Sequence, residues 1–194
     1  MPIADLVHLA WELTADGRAD AVVHEASEKA ERVVRTLRTY VSGGRGQRIV
    51  RMDLRSTIES ALASQSRIAG PGVSIECSWG EAIQVDCFPE QLEQVWSNLV
   101  SNALHAMGHS GLLRVETEGA ENLAIVRVID DGPGIPEEMR ERVFTPFFTT
   151  KAPGMGAGLG LDSSRRALEE IGGTIEFESR PGRTCFTVCL PAAT

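Results

Sequence analysis

Long apolar runs, lysine and aromatic side chains are all scarce in this sequence of 194 residues. No run approaches the roughly 18 consecutive apolar residues that a membrane-spanning helix needs, and the N-terminus lacks the basic-then-apolar pattern of a secretion signal. Aromatic residues make up 5% of the chain, and Lys29 and Lys151 are its two lysines. These absences predict a soluble, cytoplasmic protein without a membrane segment.

The charge balance and the cysteines exclude two further classes. A net charge of −8 argues against nucleic acid as a partner, because proteins bind phosphate backbones by neutralising them. The four cysteines form no C-x-x-C pair and stand at no zinc-finger spacing with a histidine, which argues against a structural zinc site. Cys77 and Cys185 lie in strand-like runs, so we expect buried, reduced thiols.

Hydrophobic periodicity divides the chain into two parts. Apolar residues recur at three- and four-residue steps in 3–13 and again in 23–40, which predicts two helices with a coiled-coil seam. A single hairpin over residues 1–44 cannot bury the apolar stripes of both helices. The pattern therefore predicts that two copies pair into a four-helix bundle in a homodimer. The segment 45–52 follows a glycine-rich break and is expected to be a linker.

Residues 53–194 predict a second domain of the α+β class. The pattern indicates helices over 53–69, 89–107 and 161–171 and strands over 73–79, 83–85, 112–117, 123–130, 174–179 and 184–190. The first two of these strands are expected to pair with each other. Sequential strands with three helices between them predict a two-layer α/β sandwich, with the helices on one face of a mixed sheet.

Three segments of this domain carry residues suited to a ligand. Gln94, Asn98 and Asn102 are spaced four apart, so their amides stack on one face of a helix that must be largely buried. The segment Asp130–Gly134 directly follows a strand, where a carboxylate flanked by glycines can hydrogen-bond a planar base. Alternating glycines in Gly154–Leu161 open a helix, and their bare N–H groups suit a phosphate.

A fourth segment, Phe144–Lys151, contains three of the six phenylalanines. Such crowding predicts a lid whose aromatic side chains dock when a ligand binds. Lys151, at the end of this segment, could then reach a terminal phosphate.

The order and spacing of these segments resemble those of sensor histidine kinases, the two-component transmitters of the GHKL (Bergerat-type) ATPase superfamily. Four boxes appear in the family's order over residues 53–191: Asn-x-x-x-Asn, Asp-x-Gly-x-Gly, Phe-Thr-Pro-Phe-Phe-Thr-Thr-Lys and Gly-x-Gly-x-Gly-Leu-Gly-Leu. The Thr-Thr-Lys resembles the nitrogen-regulator-like branch. The resemblance implies a Bergerat ATP-binding fold, ATP and Mg²⁺ as cofactors, and transfer of the γ-phosphoryl group to a histidine for relay to a response regulator.

The resemblance also implies roles at the phosphate end of the nucleotide. Asn102 would bind Mg²⁺ through its amide oxygen, while Asn98 and His105 would approach the phosphates. The phosphate loop would comprise Gly156, Gly158, Leu159, Gly160 and Leu161. Related ATPases carry a water-activating glutamate where Asn98 stands, and an amide cannot act as a general base. Phosphoryl transfer is therefore favoured over hydrolysis.

At the base end, the resemblance implies that Asp130 accepts a hydrogen bond from the adenine amino group and so selects ATP over GTP. Gly132, Gly134 and Ile135 would line the base pocket. Thr184 is a weaker match on the adenine side, because the loop that precedes it is shorter than is usual in the family.

The acceptor histidine is expected just upstream of Met1. The hairpin resembles the family's dimerisation and phosphoacceptor domain, and Pro2 aligns with the proline that closes the acceptor motif. His24 is the rival acceptor, since His24-Glu25 is the dipeptide that begins the motif, but the residues after it lack the proline. Two alternatives to a histidine kinase stay open: a non-catalytic ATP-binding dimerisation module, and a related serine kinase of the anti-sigma type.

Overall fold

The computed structural model describes residues 48–65, 69–108, 110–151 and 157–193. The expected helical hairpin with His24, and the expected loop residue Gly156, lie outside these ranges. Within the ranges, no helix combines the length and apolarity needed to cross a membrane.

The elements of the described chain agree closely with the expected ones. In order they are β1 (Val50–Asp53), α1 (Leu54–Gln65), β2 (Gly72–Ser78), β3 (Gln84–Cys87), α2 (Pro89–Ala106), β4 (Ser110–Ala120), β5 (Leu123–Asp130), α3 (Glu137–Arg140), α4 (Gly160–Glu170), β6 (Thr174–Arg180) and β7 (Arg183–Pro191). The short α3 had no counterpart in the sequence pattern. Strand β1 begins inside the segment expected to be a linker, because Val50 pairs with Cys87 of β3.

Five strands form a mixed sheet in the order β2-β4-β5-β7-β6. Strands β2 and β4 run parallel, and the other neighbours run antiparallel. The expected pairing of 73–79 with 83–85 is therefore wrong, since β3 pairs with β1 in a separate two-stranded sheet. The Gly80 N–H donates to the Thr117 carbonyl of β4 at 3.0 Å. The chain that follows β2 therefore stays beside β4 and does not turn back to pair with β2.

Strand β2 lies at the edge of the sheet, and this position explains a second correction. Cys77, near the end of that strand, is exposed, so the expectation of a buried thiol is wrong there. Cys185 lies on the interior strand β7 and is buried as expected. The alternation of apolar and polar residues along β2 indicates a half-buried strand. It does not show that the last residues of the strand extend beyond the core.

Helix α2 is the centre of the helical layer and packs against both α1 and α4. Pro89 begins the helix, where a missing N–H costs nothing, and Gly108 follows its end with φ +61°. Its buried face comprises Gln91, Leu92, Val95, Trp96, Leu99, Val100, Ala103 and Leu104. Asp53 caps α1, since its Oδ1 accepts the Arg55 N–H at 3.1 Å.

One buried hydrogen bond joins α1 to α2, and we expect its loss to destabilise the fold. The Trp96 indole N–H donates to Thr57 Oγ1 at 2.9 Å, and both side chains are at most 4% exposed. Thr57→Val keeps the shape but leaves the indole N–H unpaired, which should lower the free energy of unfolding by about 1–3 kcal/mol. Urea denaturation measures the change. Ser60→Ala removes an exposed hydroxyl of the same helix and should cost less than about 0.5 kcal/mol; equal losses would contradict the assignment.

Candidate functional site

One row of directly paired residues crosses four neighbouring strands of the sheet. Strand register aligns Leu113 of β4, Asp130 of β5, Thr184 of β7 and Ser179 of β6, and directly paired residues share a face of the sheet. Asp130 is 3% exposed and Thr184 is 4% exposed. The two residues expected at the base end are therefore neighbours across one strand pair.

The environment of Asp130 is unusual for a carboxylate. Burial raises the pKa of the Asp130 carboxyl to about 6, and the hydrogen bond from the Gly132 N–H opposes that rise. The Gly132 nitrogen lies 3.0 Å from Asp130 Oδ1. A buried carboxylate with so few donors is a strong acceptor for the N–H groups of a ligand.

Glycine is required twice in the turn that follows Asp130. A Cβ on Gly132 would lie 2.7 Å from Asp130 Oδ1 and 3.3 Å from Ala106 at the end of α2. Gly134 has φ +84°, and a Cβ there would lie 2.5 Å from the Arg180 carbonyl. The next residue, Ile135, donates its N–H to Ser179 Oγ at 2.7 Å. The turn is thus packed tightly against both α2 and the end of β6.

The expected phosphate loop leads into α4 and touches the lid. Leu159 is buried, and Leu161 packs against the core. Gly158 has φ +67°, and a Cβ there would lie 2.5 Å from the backbone carbon of Phe147. Lid and loop are therefore in backbone contact, which only glycine permits at this position.

Asn98 connects α2 to this loop. Its Nδ2 donates to the Gly160 carbonyl at 3.1 Å and contacts Ser164 Oγ at 3.1 Å. Its Oδ1 accepts from Gln94 Nε2 at 2.9 Å. The amide thus braces the first turn of α4 beside the expected phosphate site, a role that the spacing of the amides did not reveal.

Asn102, one turn later on α2, faces a cation. Lys151 Nζ donates to Asn102 Oδ1 at 3.1 Å, and burial lowers the pKa of the Lys151 ammonium. His105 is half-buried on the same helix. The structure therefore brings together the oxygen expected to bind Mg²⁺ and the lysine expected to reach a phosphate.

The lid itself is anchored through aromatic contacts at its base. Phe144 lies 6.0 Å from Phe177 of β6, ring centre to ring centre, and the Arg165 guanidinium of α4 lies 5.4 Å from the Phe144 ring. The Arg142 guanidinium lies 4.4 Å from the Phe148 ring. Phe147, by contrast, is 67% exposed, so only part of the aromatic cluster is docked.

Two residues of the site carried no signal in the sequence. Arg140 of α3 donates to the Ile135 carbonyl at 3.2 Å and to the Ser179 carbonyl at 2.8 Å. Ser179 Oγ also lies 3.1 Å from Thr184 Oγ1. Arg140 stands in a polar segment without periodicity, and Ser179 is a polar residue at the end of a predicted strand, so only tertiary contacts distinguish them from ordinary surface residues.

The raised pKa of Asp130 predicts a pH-dependent cost to stability. The folded state keeps this proton between pH 3.8 and about 6, where the unfolded state has lost it, so stability falls as the pH rises through that range. Asp130→Asn should therefore gain stability relative to the wild type, by at most about 3 kcal/mol above pH 6. Urea denaturation at pH 4 and pH 8 tests this. Glu176→Gln, an exposed carboxylate on β6, is the control; a similar gain there would refute the assignment.

The comparisons with known proteins agree with this geometry. Residues 88–194 match the family model of the histidine kinase-, DNA gyrase B-, and HSP90-like ATPases. The C4-dicarboxylate transport sensor protein DctB of Rhizobium meliloti (strain 1021) is 39% identical over 152 residues, which cover 72% of this chain and 23% of DctB. The sensor histidine kinase ZraS of Klebsiella oxytoca is 33% identical over 190 residues, which cover 95% of this chain and 41% of ZraS. The chain thus spans less than half the length of these relatives.

Solved structures of one histidine kinase, ThkA, resemble this chain. Its catalytic domain superposes with a TM-score of 0.66 at 31% identity, covering 74% of this chain and 95% of that one. ThkA in complex with response regulator protein TrrA gives a TM-score of 0.72 at 28% identity, covering 93% of this chain and 52% of that one. The chain therefore belongs to the histidine kinase-, DNA gyrase B-, and HSP90-like ATPase family, and it contains the catalytic ATPase domain found in sensor histidine kinases.

Proposed function

We propose that this chain binds Mg-ATP and transfers the γ-phosphoryl group to a histidine, for relay to a response regulator. The observation that carries the proposal is the spacing of contacts along α2. Asn98 touches the first residue of α4, Asn102 touches Lys151, and a Cβ on Gly132 of the base-side turn would lie 3.3 Å from Ala106. Four residues of an α-helix rise about 6 Å. Asn98 and Ala106 are eight residues apart, so one face of α2 separates the proposed phosphate-binding and base-binding ends by about 12 Å.

At the base end, Asp130 supports selection of adenine. Its buried carboxylate accepts hydrogen bonds, and the adenine amino group donates them. Guanine presents a carbonyl oxygen at the same position, which a carboxylate repels. Gly132, Gly134 and Ile135 shape the turn beside this carboxylate, and Thr184 adjoins it across the strand pair.

At the phosphate end, the protein supplies donors rather than a basic patch. Helix α4 begins at Gly160, beside Asn98, and the N–H groups in the first turn of a helix lack intrahelical partners and suit an anion. The Lys151 ammonium adds one positive charge. His105 lies half-buried on α2 one turn beyond Asn102, and its approach to the phosphates remains a prediction.

The residues present suit Mg²⁺ bound together with a nucleotide. Asn102 Oδ1 would hold the ion, and its contact with the Lys151 ammonium indicates that this oxygen faces a cation. In the described ranges no three His, Cys, Asp or Glu side chains cluster to hold a metal, which fits an ion that relies on substrate phosphates for its remaining ligands. When bound, Mg²⁺ would neutralise the charge that builds up on the phosphoryl oxygens.

The state of Asn98 supports transfer over hydrolysis. An amide cannot accept a proton from water, and both ends of this amide are already hydrogen-bonded to protein atoms. The chain's contribution is therefore to bind the nucleotide and orient its terminal phosphate towards an acceptor.

The acceptor and the partners belong to the same proposal. The neighbour ThkA is described in complex with a response regulator, which supports a regulator as the partner here. Three statements remain predictions from the sequence. They are dimerisation through residues 1–44, a linker over 45–52 followed by a catalytic domain over 53–194, and a cytoplasmic location. An acceptor upstream of Met1, with His24 as its rival, also remains a prediction.

The contact of Gly158 with the lid generates a test of nucleotide binding. Gly158→Ala would place a Cβ against the Phe147 backbone, which cannot yield as a flexible side chain would. We expect the Kd for ATP to rise about tenfold, equivalent to about 1.4 kcal/mol. Gly172→Ala is the control, because φ there is +75° but the nearest atom lies 3.4 Å away. If both variants weaken ATP binding alike, backbone strain explains the effect and the lid contact does not.

Phosphoryl transfer is tested with ATP labelled at the γ-phosphate. The chain is incubated with label, alone and with a longer sensor-kinase fragment that carries an acceptor histidine. We expect acid-labile label on the fragment and none on this chain. Asn102→Ala should slow transfer about 100-fold, because an interaction worth several kcal/mol in the transition state is lost, while Asn122→Ala in the β4–β5 turn should not.

The other outcomes of this experiment separate the alternatives. Label on this chain that disappears in His24→Ala would make His24 the acceptor. Acid-stable label on a partner protein would indicate a serine kinase. ATP binding without any transfer would indicate a non-catalytic module.

A further inference from the structure

Ser179 occupies a place in the site that the ATP-binding role alone does not explain. It lies beside Thr184 in the β6–β7 register, and its hydroxyl lies 3.1 Å from that of Thr184. The same oxygen accepts the Ile135 N–H at 2.7 Å. One serine hydroxyl thus links the turn after Asp130 to a threonine that adjoins Asp130.

Either hydroxyl can donate in the contact between Ser179 and Thr184, and the direction decides the role of Thr184. Ser179 Oγ accepts from the Ile135 N–H, and its own hydrogen can donate to Thr184 Oγ1. When Ser179 donates in this way, the hydrogen of the Thr184 hydroxyl is left to point elsewhere. Asp130 is the β5 partner of Thr184 on the same face, so a donor is presented next to an acceptor.

This pair of groups matches one purine and opposes the other. The edge of adenine presents an amino donor beside the N1 acceptor, whereas guanine presents an oxygen acceptor beside an N1–H donor. Asp130 as acceptor and Thr184 as donor complement adenine at both positions. If the Thr184 hydroxyl rotated freely, the site would distinguish adenine from guanine only through Asp130.

We propose that Ser179 is a positioning residue, which orients the Thr184 hydroxyl as a donor towards the base and thereby sets the preference for adenine over guanine. This inference rests on the proposed function, since it assumes that the site binds ATP. Arg140 supports the arrangement, because its guanidinium holds the carbonyls of both Ser179 and Ile135. The orientation of Thr184 is therefore tied to α3, which precedes the lid.

The test uses Ser179→Ala, Thr184→Val and the double variant, with binding measured by calorimetry. The probes are ATP, GTP and an ATP analogue in which C–H replaces adenine N1. Ser179→Ala should weaken ATP binding about fivefold, the scale of one neutral hydrogen bond, and should leave binding of the analogue unchanged. The double variant should bind ATP no more weakly than Thr184→Val. Ser179→Thr keeps a hydroxyl and should bind ATP more tightly than Ser179→Ala, close to the wild type.

Contrary results would be equally clear. If Ser179→Ala weakens ATP and the analogue alike, or if its effect adds to that of Thr184→Val, Ser179 acts only on the local packing and the inference fails. If the wild-type chain binds none of the three nucleotides, the proposed function fails instead. The analogue is measured on the same folded protein as ATP, so a loss of folding cannot imitate the expected result.

Discussion

The fixed contact between Asn98 and the first turn of α4 is the constraint on which the site depends. Polar groups in a protein interior are almost always paired, and this amide donates to both the Gly160 carbonyl and the Ser164 hydroxyl, so it ties α2 to the first turn of α4. The loop before α4 continues into that turn. Gly158 of the loop lies against the backbone of Phe147 in the lid. One side chain of α2 is thus connected to two segments that are far apart in the sequence.

The parts of the structure that could be predicted from sequence are those governed by local chemistry. The helices and most strands were recognisable from hydrophobic periodicity, and Gly132 and Gly134 as close backbone approaches after a strand, because these features follow from neighbouring residues in the chain. The pairing of β2 with β4 was not predictable, since two parallel strands separated by α2 leave no mark in their alternation. Ser179 and Arg140 were missed for a related reason. Their partners are backbone and hydroxyl groups, which no spacing in the sequence identifies.

The acidic character of the chain is compatible with a polyanionic ligand because the donors are local. Backbone N–H groups and one lysine suffice where a helix begins. At the other end of the site, Asp130 is buried with a pKa of about 6. Keeping that carboxylate ionised at neutral pH reduces the stability of the fold in favour of a strong acceptor, a trade between stability and function seen at many binding sites.

The contact between Lys151 and Asn102 has a consequence for how a nucleotide enters. The oxygen proposed to hold Mg²⁺ already accepts a hydrogen bond from an ammonium group, so on that proposal binding of the metal would exchange one cation for another. The segment 144–151 is held at two points, at Phe144 by ring contacts and at Lys151 by this hydrogen bond. Binding of Mg-ATP would break the second contact and bring a phosphate within reach of the lysine. On the proposed function, nucleotide and lid would therefore be coupled through one shared oxygen atom.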